Sequence, residues 1–129
     1  MALRIAIDAN RYADFCKGVP EAVDRIRTAR HVVLPFVVLA ELRAGFRCGS
    51  RSQRNEKNLV RFLQSERVEV LFADEVTTHF YAILFAELRR TGTPIPTNDV
   101  WIAALVLQHE LVLFSRDKHF DCVPRLARV

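Results

Sequence analysis

The chain has 129 residues, half of them apolar and 26% charged, with a net charge of +4, which suits one domain with a sizeable core. Its longest apolar run, Val32 to Ala40, is nine residues, far short of the ~20 that cross a bilayer. Arg4 and Asp8 interrupt the N-terminal apolar stretch, so neither a membrane span nor a signal peptide is expected and the reading is of a soluble, cytoplasmic protein.

Leu3–Ile7 alternates Leu3, Ile5 and Ile7 with smaller or polar residues and is expected to be a strand. Pro20–Arg30 opens with proline and an early glutamate, as helices do. His31–Pro35 is a short apolar strand ended by proline. From Phe36 the period changes: Val38, Leu42 and Phe46 lie four apart, giving a helix to about Arg47. The polar turn GSRSQRN enters a second helix near Ser52–Gln64, and Val68–Phe72 alternates again as a strand. Val76, Phe80, Ile83, Leu84 and Leu88 mark a long helix that stops at Thr91-Gly92. The segment GTPIPTND leads to a helix over Asp99–His109, with Ile102, Leu105 and Val106 inward. Leu111–Ser115 is a further strand, RDKHFDCVP a turn, and the last residues a short edge strand. No repeat, low-complexity tract or linker divides the chain, so residues 1–129 are read as a single domain. Strands alternating with helices imply a parallel α/β sheet covered on both faces.

Three scattered cysteines (Cys16, Cys48, Cys122) without a CxxC argue against a disulfide scaffold or a zinc site. The histidines His31, His79, His109 and His119 have no partner at a metal-ligand spacing and read as structural. Basic residues gather at Arg43, Arg47, Arg51, Arg54, Lys57 and Arg61, opposed only by Glu56. If that stretch were one helix, Arg47, Arg51, Arg54 and Arg61 would share a face. Such a face is either solvated or turned to a phosphate backbone.

The carboxylates carry the chemistry. In a parallel α/β fold the C-terminal strand ends and the N-terminal helix ends lie along one edge, where ligands bind. Asp8 follows the first strand, and Asp117 follows the LVLFS strand by two residues. Asp99 opens its helix, and Glu41 lies in the second turn of the helix after HVVLP. Two carboxylates ~4 Å apart repel by about 4 kcal/mol at an effective dielectric near 20. A helix N-terminus offsets only ~0.3–1 kcal/mol of that. Protonation of some members is one way to remove that cost; with no His or Cys ligand at hand, an all-oxygen cluster best suits Mg²⁺ or Mn²⁺, which can activate water against a phosphodiester. Taken singly, Asp99 is an N-cap or first-turn acid, Asp8 and Asp117 are turn formers, and Glu41 is a surface acid beside Arg43.

The stretches IDANRYADF, LPFVVLAELRAGFRCGSR and GTPIPTNDVWIAALVLQHELVLFSRDKHF, in that order, resemble a PIN-domain ribonuclease, and more narrowly the VapC toxins of VapBC toxin–antitoxin pairs. The resemblance runs over nearly the whole chain. It implies a three-layer α/β/α sandwich with a mainly parallel central sheet. It also implies a Mg²⁺- or Mn²⁺-dependent endoribonuclease that hydrolyses RNA, transfer or ribosomal RNA foremost. The family's acids map to Asp8, Glu41, Asp99 and Asp117, with Asp8, Asp99 and Asp117 as metal ligands. Asn10, Ser115 and Arg116 fall near the metal or the substrate phosphate. Ala9 departs from the pattern, which has a small hydroxyl residue there. A homodimer and a cognate VapB antitoxin are implied partners. The helix pair Phe36–Gln64 is the candidate antitoxin contact, with Phe46 and Leu59 as apolar anchors, and Arg43, Arg47, Arg51 and Arg54 would meet RNA or that partner. Glu87, four residues after Ile83 on the inward stripe, is a buried acid held by Arg89 or Arg90, a rim residue, or a secondary metal-site residue. Trp101 reads as packing or a dimer contact.

Two other acid-gathering folds fit less well. A haloacid-dehalogenase-type phosphatase needs Asp-x-Asp after the first strand, and the second position here is Asn10. A phospho-receiver domain needs an adjacent acid pair early in the chain, which is absent. The non-enzymatic alternative is a catalytically inactive PIN-like module that binds RNA or protein.

Overall fold

Strands and helices alternate as the apolar periods require. The computed structural model describes residues 2–129. The elements are β1 (Arg4–Ile7), α1 (Ala9–Cys16), α2 (Pro20–Thr28), β2 (His31–Pro35), α3 (Phe36–Cys48), α4 (Ser52–Leu63), β3 (Val68–Leu71), α5 (Glu75–Arg90), α6 (Thr97–Gln108) and β4 (Val112–Phe114), followed by a 3₁₀ turn over Lys118–Cys122. The strands form one parallel sheet in the order β3-β2-β1-β4. Ile5 pairs with Val32 on one side and Val112 on the other. The expected terminal edge strand reduces to a single parallel bridge between Leu113 and Arg128.

The central strand β1 is apolar and buried on both faces, with Ile5, Ala6 and Ile7 all fully enclosed, as a sheet covered by helices demands. The crossovers from β1 to β2 and from β2 to β3 run in one direction, and the crossover from β3 to β4 runs back. Right-handed connections therefore place α1–α4 on one face and α5–α6 on the other, giving the three-layer α/β/α sandwich. Tyr12 and Phe15 of α1 both meet Phe62 of α4 (centroids 5.2 and 5.5 Å apart) on the first face. In α6 the residues Val100 and Ile102–Val106 are all buried, the pattern of a helix enclosed nearly all round.

Apolar periodicity does not reveal α1. Its buried residues are Arg11, Tyr12 and Asp14, so its inward face is mostly polar and no greasy stripe announces it. In α5 the observed inward residues are Thr77, Leu84 and Leu88. Val76 and Ile83 are 51% and 53% exposed, so the stripe through Ile83 and Glu87 points away from the core. Asp74 and Thr77 cap that helix reciprocally, and Gly92, at φ 70°, takes the left-handed turn that ends it. The helix α6 begins two residues earlier than the acid pattern suggests, at Thr97, with Pro96 in the capping position.

Candidate active site

Parallel strands bring β1 and β4 to the same edge, and the residues just beyond them build one side of the site. Asp8 follows β1 and is buried. Its Oδ1 accepts the Ala9 N–H at 2.8 Å, capping α1. Its Oδ2 accepts the Ser115 hydroxyl at 2.7 Å. The Asn10 amide Nδ2 lies 3.4 Å from the Ser115 Oγ and 3.5 Å from the Asp8 Oδ2. Ser115 in turn accepts the Asp117 N–H at 3.0 Å.

The second side comes from α6. Asp99 stands in its first turn and is only 6% exposed. No side chain caps this helix, so the Asp99 carboxylate is free to face away from the backbone. Its Oδ2 lies 2.8 Å from His119 Nδ1. The same nitrogen lies 3.1 Å from Asp117 Oδ1. One ligand atom from each of Asp99, Asp117 and His119 falls within 4.8 Å of the others. Asp117 also caps the 3₁₀ turn by accepting the His119 N–H at 2.9 Å.

Glu41, on α3, completes the group from the solvent side. Although Glu41 as a residue is exposed, partial desolvation of its carboxyl, then the charges of Asp8 and Asp99, hold its pKa above the ordinary glutamate value, against a hydrogen bond from the Asn98 side chain. Asp99 is raised as well, first by burial and then by Asp117 and Asp8, with the His119 hydrogen bond opposing. His119 is raised by its hydrogen bond to Asp99 and by both carboxylates. Glu41 and Asp99 therefore feel the carboxylates around them, and that repulsion is the force a bound cation relieves. The donor set is oxygen-rich, partly buried and open on one side, which fits a hard divalent ion.

His119 is a member of this group although its sequence reads as structural. The signal was its position two residues from Asp117, which puts both in one tight turn. Arg116 is drawn off the site: its guanidinium makes two hydrogen bonds to Asp14 at 2.7 and 2.9 Å, and its N–H donates to Asn10 Oδ1. Asn10 and Asp14 are one helical turn apart, so α1 grips the loop after β4 twice. Asp14 also pairs with buried Arg11 at 3.3 Å, whose guanidinium lies 4.4 Å over the Phe114 ring.

The basic stripe is not one helix face. Gly49–Arg51 breaks the chain between α3 and α4. Arg43 is tied to Glu56 at 2.8 Å across the two helices. Arg51 and Arg54 line a groove of about 400 Å³ with Tyr12, Lys17, Leu42 and Phe46; Arg47 is exposed at the end of α3. Leu59 is fully buried and cannot anchor a partner, because it already packs inside the domain. Glu87 lies away from the acids and pairs with Arg125 at 3.3 Å, not with Arg89 or Arg90. Trp101 is half-buried against Tyr81, at 4.4 Å between centroids.

Residues 6–126 match the PIN domain family. Among characterised proteins, the chain is 31% identical over 111 residues to Ribonuclease VapC1 of Haemophilus influenzae (strain R2866), covering 85% of this chain and 81% of that protein. It is also 31% identical over 88 residues to Ribonuclease VapC4 of Mycobacterium tuberculosis (strain ATCC 25618 / H37Rv), covering 68% of each. Among solved structures, VapBC-1 from nontypeable Haemophilus influenzae superposes with a TM-score of 0.85 at 25% identity, over 98% of this chain and 97% of that one.

Proposed function

This chain belongs to the PIN-domain family, in its VapC ribonuclease branch, and from that premise we propose that it is the toxin of a type II toxin–antitoxin pair, an endoribonuclease dependent on Mg²⁺ or Mn²⁺. What supports the reading is that Asp99 and Asp117 share His119, that Ser115 links Asp8 to the Asp117 backbone, and that Glu41 feels the charges of these three acids, all beside the carboxyl edge of a parallel sheet. Residues 1–129 act as one domain, in the cytoplasm, on transfer or ribosomal RNA.

Asp8, Asp99 and Asp117 would hold the ion, which when bound would supply positive charge to the scissile phosphate and acidify water. Ser115 and Asn10 orient Asp8 through its Oδ2. Glu41, raised above its ordinary pKa and open to solvent, accepts the proton of the attacking water. The water oxygen bonds to phosphorus, the bond to the leaving sugar oxygen breaks, and that oxygen takes up a proton from solvent. Purified protein is expected to cleave RNA with Mg²⁺ or Mn²⁺ and to stop in EDTA. Equal cleavage rates in EDTA, read on end-labelled RNA, reject the metal mechanism.

The partners follow from two surfaces. The groove between α1 and the α3–α4 pair offers Leu42 and Phe46 flanked by Lys17, Arg51 and Arg54; an antitoxin segment with apolar anchors and acidic flanks fits it. A ribbon of stacked or edge-on rings, Phe72–Phe36–Trp101–Tyr81–Phe85, crosses α3, α6 and α5. Phe72 is 67% exposed and Phe85 45%, a large apolar cost to leave in water. A second copy of the chain covers this ribbon. Phe72→Glu should convert the dimer to a monomer, measured as halved mass by light scattering; an unchanged dimer mass excludes this face.

A further inference from the structure

The placement of His119 has a use beyond holding two acids together. Its Nδ1 is 2.8 Å from Asp99 Oδ2 and 3.1 Å from Asp117 Oδ1. An octahedral ion with ligands at ~2.1 Å sets neighbouring donors about 3 Å apart. His119 Nδ1 therefore already has the spacing of an adjacent ligand to each of the two carboxylate oxygens, and the three groups place their ligand atoms within 4.8 Å of one another. The imidazole is also held in place from below. The 3₁₀ turn is capped by Asp117, and the next residue, Phe120, is fully buried in the core. The His119 side chain itself is 50% exposed, so an ion and its remaining waters can reach it without moving the backbone.

We infer that His119 is a nitrogen ligand to the divalent ion held by Asp99 and Asp117, and that it tilts the site from Mg²⁺ towards Mn²⁺. The inference rests on the metal-dependent reading above. Mg²⁺ keeps its waters and favours all-oxygen shells, whereas imidazole binds first-row transition ions more strongly. An all-carboxylate site has little basis for choosing between the two ions; one imidazole in the shell supplies it. A histidine that only bridged the carboxylates by hydrogen bonds would leave the bound ion with no nitrogen neighbour, and this difference can be measured without RNA.

The test adds Mn²⁺ to the purified full chain and reads pulsed electron paramagnetic resonance for modulation by a directly bonded nitrogen-14. The expected result is one such coupling, which changes when the histidines are labelled with nitrogen-15. In His119→Gln the coupling should vanish while Mn²⁺ still binds. The Mg²⁺ needed to displace half of that Mn²⁺ should fall about tenfold, the scale on which a residue at a metal site moves affinity. Stoichiometric Mn²⁺ with no nitrogen coupling, or a coupling that survives in His119→Gln, overturns the role of His119 and leaves the metal reading standing. Absence of Mn²⁺ binding overturns both. The isotope labelling is done on the unaltered chain, so the result does not depend on the variant folding.

Discussion

Asp99→Asn is expected to lower RNA cleavage by about 10³-fold or more while the melting temperature holds or rises. The size of the loss follows from removing one charged ligand of a preorganised electrostatic site. The direction of the stability change follows from the environment of the group. Asp99 is buried, and burial together with Asp117 and Asp8 raises its pKa. A carboxyl whose folded pKa is raised favours the folded state when protonated, and that contribution fades as pH climbs through the folded value. Near neutral pH, without an ion, its charge is a cost that asparagine removes. The neutral amide keeps the shape and can still meet His119. Addition of Mg²⁺ separates the two chains further. An ion at a hundred times its dissociation constant stabilises the parent by about 2.7 kcal/mol, and the variant should lose most of that gain. Cleavage assays on end-labelled RNA and thermal melts with and without Mg²⁺ measure both effects. Full cleavage by a folded Asp99→Asn chain rules out Asp99 as a ligand.

Asp14→Ala should be a strongly destabilising change at a polar residue outside the acid cluster, costing about 3 kcal/mol, because it strands the charge of a buried arginine. Asp14 and Arg11 are both buried, and the Arg11 Nε has no partner of its own among the described residues. With Asp14 gone, the Phe114 ring beneath Arg11 remains, but the Arg11 charge keeps as ion-pair partner only the exposed Glu21 at 3.3 Å, and the Arg116 guanidinium loses both its hydrogen bonds. Against a total stability of about 5–15 kcal/mol, that is a large fraction, and roughly a 10 °C fall in melting temperature is expected. The pH dependence has the opposite sign to that of Asp99. The hydrogen bond from Arg116, then the charges of Arg116 and Arg11, hold the Asp14 pKa below its ordinary 3.8 despite burial. A depressed carboxylate stabilises the fold above pH 3.8, and the contribution disappears as pH falls through the lower, folded value. The parent should therefore lose stability steeply below pH 4, and the variant should show less of that acid limb. Denaturant melts at pH 3 and pH 7 provide the comparison; equal losses in both chains contradict the assignment.

The acids and the secondary elements that hold them were legible in the residues because they obey local rules. Strand β2 starts and ends where its apolar run and proline place it, and Asp8 and Asp117 follow strands by the spacing that a parallel sheet turns into proximity. Features that depend on which way a polar side chain turns were not legible. Helix α1 escaped notice because Arg11 and Asp14 occupy its inward face, which only makes sense once Arg116 and the Phe114 ring are opposite. The stripe of α5 through Ile83 faces solvent instead of the core because that helix carries apolar residues on both sides, and periodicity cannot say which side is covered.

Sequence alone determined the alternation of strands and helices, the absence of an apolar run long enough to span a membrane, and the placement of Asp8, Asp99 and Asp117 at segment ends. These are properties of nearest neighbours and of covalent order. Only the tertiary structure decided that His119 joins Asp99 and Asp117, that Arg116 belongs to Asp14, and that the basic residues divide between an ion pair and a groove. Each of those outcomes is a contact between residues far apart in the chain or turned by a backbone break. Such contacts are selected by packing and charge compensation across the whole domain, which no local pattern encodes.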